Sequence, residues 1–343
     1  MKFKKFLSVF IFFLFTNLVL TLGVITTVAT PSAFGKSNAL YNNEDTIADS
    51  KTVKEVVFSE VPGVSTVRLY FPDTKEIKEI ELEEYVTGAL IGEMYDNTHS
   101  EALKAVAVAA RTYTLYMCEA NKNMPYDIVA DSKVSQAYIS KDDAIEAWSE
   151  LGASKYETMK NAVESTQGLV VTYDSKPICA LYHASSYPNT ENSENVFIEA
   201  LPYLIGKESI ESIETVYKSS VSYAESELNS ILTSNSLPSV NLEDLKINNI
   251  KNENQRCKYI IFNDDNVGFT VDGRDVRRIF SLNSTSFNVS VTADAITFDV
   301  YGFGHGVGLS QNGAKIMAEN GSSYEEILKN YYFGTEISKT IYN

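Results

Sequence analysis

Basic residues are scarce in this chain of 343 residues. Lys and Arg total 29 against 45 Asp and Glu, which gives a formal net charge of -16 at pH 7. A protein that binds a nucleic-acid backbone replaces its counterions with a stripe of Lys and Arg side chains. This sequence offers no such stripe, so a nucleic acid is excluded as its partner.

Cysteine and histidine are also rare, with three of each. Cys118, Cys179 and Cys257 lie far apart and form no CxxC pair, which excludes a disulfide-rich scaffold and a compact zinc knuckle. Two arrangements stay open: one disulfide with a spare thiol, or three buried thiols. In contrast, a hydrophobic content of 44% with 21 Tyr and 17 Phe is typical of a globular protein with a substantial core.

The N-terminal region has the pattern of a membrane anchor. Residues 1–5 form a basic start, and the apolar run 6–29 is about 36 Å long as a helix, enough to span a bilayer. We interpret this run as an uncleaved transmembrane anchor, with the N-terminus cytoplasmic and the body outside the cell membrane. The alternative is a secreted protein that starts near Phe34. A polar tether follows over 30–60.

The remaining chain predicts an α+β fold of mixed helices and antiparallel strands. We expect a core lobe from 61–204 together with 296–343, an inserted second lobe over 205–295, and a cleft between them. Alternating and helical periodicities predict individual elements. They include strands at 66–71, 75–82, 169–173, 178–183, 287–291 and 296–301, and helices from Glu83 or Glu84, from an N-cap at Ser100, at 154–166, around 217–232, at 312–319 and at 324–332.

Glu93 is the candidate general acid. The side chains before it are small or apolar, and no Lys or Arg lies within eight residues on its N-terminal side. A carboxyl group in such surroundings is partly desolvated, which raises its pKa and keeps it protonated near neutral pH. A general acid needs this property.

Two loops at strand ends are candidate site segments, because binding sites are often built there. The loop 184–193 is strongly polar and follows a predicted strand. The glycine-rich turn 302–311 lies between a strand and a helix and can bring the backbone close to a ligand. No second strand–helix–strand unit follows it, which excludes a dinucleotide site. Two of the three histidines, His183 and His305, flank or lie in these loops.

Four segments, in order, resemble the stage II sporulation protein D family of cell-wall lytic transglycosylases. The resemblance extends from about Thr66 to Thr335 and is strengthened by the N-terminal anchor that precedes it. The segments are Glu84-Tyr85-Val86 with Glu93-Met94; Glu101-Ala102-Leu103-Lys104 with Ala109-Ala110-Arg111-Thr112-Tyr113; Tyr182-His183 with Thr190-Glu191-Asn192-Ser193-Glu194; and Gly304-His305-Gly306-Val307-Gly308-Leu309-Ser310-Gln311.

The resemblance implies an enzyme that cleaves peptidoglycan glycan strands during engulfment in sporulation. It implies cleavage between N-acetylmuramic acid and N-acetylglucosamine with a 1,6-anhydro product, after a cell-wall amidase has removed the stem peptides. An integral-membrane protein is a further implied partner. The family's catalytic glutamate maps to Glu93. The implied substrate-binding residues are His183, Ser185, Ser186, Thr190, Glu191, His305, Ser310 and Gln311.

Three further residues are candidates for substrate contact. Gln136 and Tyr138 could line a subsite, and Arg111 could pair with the lactyl carboxylate of muramic acid or form a structural salt bridge. Some family members bind zinc through a cysteine pair, but Val129 and Ser135 stand at those positions here. We therefore predict no metal and no cofactor.

Two other functions stay open. A hydrolytic muramidase would pair Glu93 with a second carboxylate, for which Glu191 is the candidate. A non-catalytic wall-binding or amidase-stimulating protein would keep the cleft but not need Glu93. This chain departs from the family pattern at Tyr95 and at Tyr187-Pro188, which keeps the second alternative open.

Overall fold

The computed structural model describes residues 58–94, 98–131, 134–148, 151–197 and 199–342. The predicted basic start and anchor, and nearly all of the predicted tether, lie outside these residues. Among the helices that are described, none combines the length and the apolar character needed to cross a bilayer.

The described chain contains both helices and strands in a mixed order, so the prediction of an α+β fold is confirmed. The strands are β1 (Ser59–Gly63), β2 (Thr66–Phe71), β3 (Glu76–Glu81), β4 (Ile128–Val129), β5 (Leu169–Tyr173), β6 (Lys176–Pro177), β7 (Tyr182–His183), β8 (Lys218–Ala224), β9 (Lys246–Lys251), β10 (Cys257–Asn263), β11 (Gly268–Asp272), β12 (Phe287–Val291), β13 (Ala295–Tyr301), β14 (Leu309–Ser310) and β15 (Glu336–Tyr342). The helices are α1 (Leu82–Glu93), α2 (Ser100–Ala120), α3 (Lys141–Trp148), α4 (Gly152–Glu164), α5 (Ser193–Val196), α6 (Glu225–Ser234), α7 (Gly273–Ile279), α8 (Gln311–Glu319) and α9 (Tyr324–Tyr331).

A first hydrophobic cluster is built around α2. This helix packs against α1, α4, α8, α9 and strand β5. Its buried positions are mostly Ala and Val, whose small side chains allow the neighbouring helices to come close. Beside it, β15 pairs in parallel with β1 and antiparallel with β5, so the C-terminal strand completes the sheet of this cluster.

A second hydrophobic cluster draws its buried side chains from residues 228–300. It contains one sheet in the order β12-β13-β8 and another in the order β11-β10-β9. Ile296, Phe298 and Val300 of β13 are buried in this second cluster. The domain boundary expected at 296 therefore falls inside a sheet of the second cluster.

Three predicted elements differ from the structure. Of the strand expected over 178–183, only Tyr182–His183 is a strand, β7, which pairs in parallel with β14, whereas β6 lies before that range and pairs with β5. The helix expected around 217–232 begins only at Glu225, since the preceding β8 alternates between exposed and half-buried positions against β13. The N-cap of α2 is His99 and not Ser100: His99 Nδ1 accepts a hydrogen bond from the Glu101 amide at 3.3 Å.

Candidate active site around Glu93

Glu93 is the last residue of α1, a helix whose preceding residues are almost entirely buried. Its side chain is partly buried, and its carboxylate accepts two hydrogen bonds. The Ala137 amide donates to Oε1 at 3.1 Å, and Gln311 Nε2 donates to Oε2 at 3.3 Å. Burial raises the pKa of Glu93 above its ordinary value of 4.5, and the two hydrogen bonds offset this effect only in part. The predicted rise of this pKa is confirmed.

Two glycines on α1 allow the segment that carries Ala137 to approach the helix. A Cβ at Gly92 would lie 2.7 Å from the Ala137 Cβ, and a Cβ at Gly88 would lie 2.4 Å from the Tyr138 ring. The Ile139 amide donates to the Gly88 carbonyl at 3.1 Å, which fixes the segment along the helix. The spacing of four residues between the glycines places both on one face of α1. This face sets the position of the amide that binds Glu93.

A buried amide joins two tyrosines beside Glu93. The Tyr85 hydroxyl donates to Gln136 Oε1 at 3.0 Å, and Gln136 Nε2 donates to the Tyr182 hydroxyl oxygen at 2.9 Å. The Tyr182 hydroxyl is thus an acceptor in this network and keeps its own proton for another acceptor. Burial, and then the charge of Glu93, raises the pKa of Tyr182 well above its ordinary value, so Tyr182 stays protonated.

Gln136 and Tyr138 were expected to line a subsite. Gln136 is buried and holds the tyrosines in place through its side-chain amide. Tyr138 stacks on Tyr85, with ring centroids 5.7 Å apart and an interplanar angle of 2°. Both residues therefore contact Tyr85, and Gln136 also holds the Tyr182 hydroxyl.

His183 and His305 lie next to each other, with ring centroids 5.6 Å apart. His183 contacts the Val307 carbonyl through Nδ1 at 3.1 Å and the Ser186 hydroxyl through Nε2. Because a carbonyl only accepts, Nδ1 carries the proton and Nε2 is the acceptor. In His305, Nδ1 accepts from the Val307 amide at 3.0 Å, and Nε2 therefore donates to the Tyr182 carbonyl at 3.0 Å.

Both histidines are neutral at physiological pH. Burial lowers the pKa of His183 well below its ordinary value, and the neighbouring His305 and Arg256 act in the same direction. Burial and then Arg277 lower the pKa of His305 to about 3. Each ring uses both nitrogens on the protein's own groups, so the two rings fix the loop after β7 to the glycine-rich turn.

A buried carboxylate that the sequence reasoning missed, Glu211, ties the same two loops together. It accepts hydrogen bonds from the Ser186 amide at 2.8 Å, from Ser310 Oγ at 2.5 Å and from Asn312 Nδ2 at 2.8 Å, and also from the Ser185 hydroxyl. These bonds occupy the side chains of two predicted substrate-binding residues, Ser185 and Ser310. Asn312 follows Gln311 directly, so Glu211 also anchors the end of α8 that reaches Glu93.

Glu191, the candidate second carboxylate of a muramidase, accepts four hydrogen bonds. Its carboxylate accepts from the amide groups of Asn195 at 2.9 Å, Asn252 at 2.7 Å and Asn254 at 2.7 Å, and from the Asn192 backbone at 2.9 Å. These four hydrogen bonds occupy both carboxylate oxygens with the protein's own groups, so Glu191 fixes the loop after β7 in place.

Arg256 is a second buried group that local sequence reasoning did not identify. Its guanidinium donates to Ser186 Oγ at 3.0 Å and to the Asn189 carbonyl at 3.2 Å. Burial lowers the pKa of Arg256 to about 10, against the opposing effect of Glu191 and Glu211, so it stays charged. Gly306 has φ of +86°, and a Cβ there would lie 2.5 Å from the Arg256 guanidinium carbon. This glycine is what lets the turn close over Arg256.

Two further predicted substrate-binding residues, Thr190 and Arg111, bond to the protein's own groups. Thr190 is buried, and its hydroxyl oxygen accepts from the Lys207 amide at 2.9 Å. Arg111 is fully buried and forms a salt bridge with Glu83 at 2.5 Å, and it also donates to the Leu169 carbonyl at 3.1 Å. This position corresponds to the structural salt bridge that the sequence also allowed, and it does not suit contact with a lactyl carboxylate.

The three cysteines are free thiols in the structure. Over residues 58–94, 98–131, 134–148, 151–197 and 199–342, no group of three or more His, Cys, Asp or Glu side chains could hold a metal ion. Of the two arrangements left open by the sequence, the structure therefore has three unpaired cysteines.

The fold and the site define an α+β protein in which hydrogen bonds join two loops to each other. One of these loops also bonds to a partly buried glutamate at the end of a helix. The family model described as stage II sporulation protein matches residues 70–173, which include Glu93. Stage II sporulation protein D of Bacillus subtilis is 32% identical over 311 residues, covering 89% of this chain and 88% of that protein. The protein of the same name from Bacillus amyloliquefaciens is 31% identical, covering 96% of both chains. The chain belongs to the stage II sporulation protein D family, and the resemblance read from the four segments is confirmed.

A more distant relative has a different name. The amidase enhancer of Bacillus subtilis is 26% identical over 299 residues, covering 73% of this chain but 40% of that longer protein. The similarity thus extends to a protein named for its effect on an amidase.

Proposed function

We propose that this protein is a lytic transglycosylase of peptidoglycan that uses Glu93 as its only catalytic carboxyl group. It acts on glycan strands from which the stem peptides have been removed, during engulfment in sporulation. The run 6–29 anchors it in the cell membrane, with the catalytic part outside the cytoplasm. A cell-wall amidase and an integral-membrane protein are its proposed partners.

The observation that carries this proposal is the difference in hydrogen bonding between Glu93 and the two carboxylates that hold the loops, Glu191 and Glu211. Glu93 has only two hydrogen bonds from the described residues and a raised pKa, whereas Glu191 and Glu211 each accept four hydrogen bonds. A hydrolytic glycosidase needs two working carboxyl groups. Glu93 therefore has a raised pKa and few hydrogen bonds, whereas the oxygens of Glu191 and Glu211 are occupied by the protein's own donors. This difference favours a reaction in which one carboxyl group serves as both acid and base.

The reaction balances with that one group. Protonated Glu93 donates its proton to the glycosidic oxygen between N-acetylmuramic acid and N-acetylglucosamine, and the bond from that oxygen to C1 of the muramic residue breaks. The muramic C6 hydroxyl then attacks C1, and its proton passes to the Glu93 carboxylate. The product carries a 1,6-anhydro ring, no water is consumed, and Glu93 is again protonated.

Tyr182 supports this reaction through its hydroxyl proton. Its oxygen already accepts from Gln136, which fixes the direction of the remaining O–H bond. A protonated hydroxyl that is held in place at the side of Glu93 is suited to hydrogen-bond the sugar as charge develops on it. Gln311 contributes by holding Glu93 Oε2, which leaves the orientation of the carboxyl group defined before substrate binds.

A second function is favoured by one observation, the similarity to a protein named amidase enhancer. Under this alternative the chain binds the cell wall and stimulates an amidase without cleaving glycan. The hydrogen bonds of Glu191, Glu211 and the two histidines would then only fix the shape of the binding surface.

Product analysis separates these functions. Peptide-free glycan strands are incubated with the protein and the products are identified by mass spectrometry. We expect 1,6-anhydro ends, and Glu93→Gln to lower their rate of formation by about 100-fold or more with the fold retained. The matched control is Glu84→Gln, an exposed glutamate on the same helix, which should leave the rate unchanged.

Two other results would overturn the proposal. Reducing ends instead of anhydro ends would identify a hydrolase. Absence of cleavage, together with a faster amidase reaction on intact cell wall that Glu93→Gln preserves, would identify the amidase-stimulating function.

A further inference from the structure

A groove of about 580 Å³ opens beside the loop that follows β7, and nothing in the proposed reaction uses it. Neither Ala137 nor Gln311, which hold Glu93, lines this groove. We call it the 208–214 groove after the segment that forms most of its wall. Its other lining residues are Tyr187, Pro188, Asn189 and Gln255.

The groove lies in a surface that is unusually rich in exposed apolar side chains. Ile210 is 50% exposed and Ile213 is 36% exposed, and both line the groove. Ile205 and Tyr217, at 51% and 48%, lie on the same stretch of chain. These four are among the ten large apolar side chains that are exposed in the described residues. Single exposed apolar residues are common, but two exposed isoleucines that line the same groove favour an interaction site.

The wall of the groove is held in place by hydrogen bonds from neighbouring segments. The Ser209 amide donates to the Pro188 carbonyl at 2.9 Å, and the Lys207 amide donates to Thr190 Oγ1 at 2.9 Å. Lys207 Nζ donates to Asn330 Oδ1 at 2.6 Å. The exposed isoleucines therefore stand on a fixed backbone, and a partner would lose little free energy in ordering them.

The charge of the groove selects among possible occupants. Glu208, Glu211 and Glu214 line it, with Glu208 and Glu214 exposed, and among the residues that the structure describes no Lys or Arg lines it. A glycan strand that carries the lactyl carboxylates of muramic acid would be repelled, whereas Lys and Arg side chains would be attracted. The apolar side chains and the negative charges together fit a cationic polypeptide with aliphatic anchors.

We propose that the 208–214 groove docks a cationic segment of a protein partner, in which Lys or Arg side chains flank one or two aliphatic ones. Ile210 and Ile213 contact the aliphatic side chains, and Glu208 and Glu214 pair with the cations. The inference goes beyond the proposed reaction, because the groove contributes no group to glycan cleavage and binding there does not depend on Glu93.

The test uses the full-length chain in a non-ionic detergent and a fluorescein-labelled peptide of Lys and Gly that carries two Ile residues. Fluorescence anisotropy should give saturable binding with a Kd of about 1–100 µM, compared with a detergent-only blank. Ile210→Ser combined with Ile213→Ser should weaken binding by at least about 10-fold. Glu208→Gln combined with Glu214→Gln should weaken it similarly and reduce its dependence on salt.

The matched control replaces two apolar residues of similar exposure elsewhere, Ile77→Ser with Leu151→Ser, and should keep the affinity of the wild type. The Glu93→Gln variant should also bind normally, which separates this proposal from the proposed reaction. Circular dichroism confirms that each variant is folded.

Several results would overturn the proposal. Absence of saturable binding, or equal losses in the groove and control variants, would leave the groove without this role. Displacement of the peptide by a chito-oligosaccharide would assign the groove to glycan. Dimerisation in analytical ultracentrifugation that requires Ile210 and Ile213 would assign it to a second copy. Stronger peptide binding after removal of residues 1–57 would assign it to the protein's own N-terminal segment.

Discussion

Gln311 donates a hydrogen bond to Glu93 at 3.3 Å although 218 positions separate the two residues in the sequence. The bond joins the start of α8 to the end of α1, so the protonation of the candidate catalytic group depends on the C-terminal part of the chain. Since Glu211 holds Ser310 and Asn312 on either side of Gln311, the position of this amide is fixed by a second, buried carboxylate.

The first prediction concerns stability and pH. Because the pKa of Glu93 is raised in the folded protein, the folded state binds more protons than the unfolded chain between pH 4.5 and that raised value. The resulting contribution to stability is fully present below pH 4.5 and is lost as the pH rises through the folded pKa. We expect Glu93→Gln to be more stable than the wild type at pH 8 and equal to it near pH 4.

Urea unfolding at a series of pH values measures this difference. Glu84→Gln, on the same helix but exposed, serves as the comparison. A Glu93→Gln variant that is less stable than the wild type at pH 8 would contradict the argument, since it would show that the charged carboxylate stabilises the fold.

The second prediction concerns Tyr182. Removing its hydroxyl in Tyr182→Phe deletes the proposed hydrogen bond to the sugar and leaves Gln136 Nε2 without this acceptor. We expect kcat for glycan cleavage to fall by about 10-fold, which corresponds to one hydrogen bond of ordinary strength. Tyr85→Phe removes the hydroxyl on the other side of the same amide, and we expect it to lower the melting temperature with a smaller effect on kcat. Equal effects of both variants on kcat would mean that Tyr182 acts only through packing.

The third prediction concerns Gly92. A Cβ added in Gly92→Ala would lie 2.7 Å from the Ala137 Cβ and would push the Ala137 amide away from Glu93. Since that hydrogen bond lowers the pKa of Glu93, its loss raises the pKa further. We expect slower cleavage and a shift of the upper limb of the pH–rate profile towards higher pH.

Gly321→Ala provides the contrast for that experiment. Gly321 has φ of +92°, and a Cβ there would meet no atom of the described residues within 4 Å. The substitution should cost about 1 kcal/mol in stability through backbone strain and leave the pH–rate profile unchanged. A profile that moves in both variants would refute the specific role of Gly92.

The fourth prediction concerns the buried salt bridge between Glu83 and Arg111. Glu83→Gln leaves the Arg111 guanidinium charged and fully enclosed, so we expect a loss of about 3–5 kcal/mol in the free energy of unfolding. The comparison is Glu119→Gln, which removes the exposed pair with Lys122 and should change stability by less than about 1 kcal/mol. Chemical denaturation of both variants measures the two values. Similar small losses would show that Arg111 is hydrated in the folded protein.

Local patterns were sufficient to predict several elements and the character of Glu93. The strands at 66–71 and 287–291 are confirmed with the predicted bounds, because side chains alternate there along a single strand. The apolar residues that precede Glu93 on its helix are visible in the sequence, and burial raises the pKa of Glu93 as they predict. These features depend on residues that lie within a few positions of one another.

The supports of the site could not be predicted in this way. Glu211 lies in a segment rich in Ser and Glu with no distinctive pattern, and it bonds Ser186 and Ser310, which are 25 and 99 positions away. Arg256 bonds Ser186 across 70 positions. Periodicity describes only which face of an element is apolar. It gives no information on which distant polar group a buried charge will meet.

The hydrogen bonds of Glu191 have a consequence for how the chain can be divided. This residue belongs to the loop after β7, yet two of its donors, Asn252 and Asn254, come from the turn between β9 and β10. Excising the sheets of the second cluster would remove two of the four hydrogen bonds that the Glu191 carboxylate accepts. The inserted segment is therefore part of the same folding unit, and we expect neither half of the molecule to fold stably without the other.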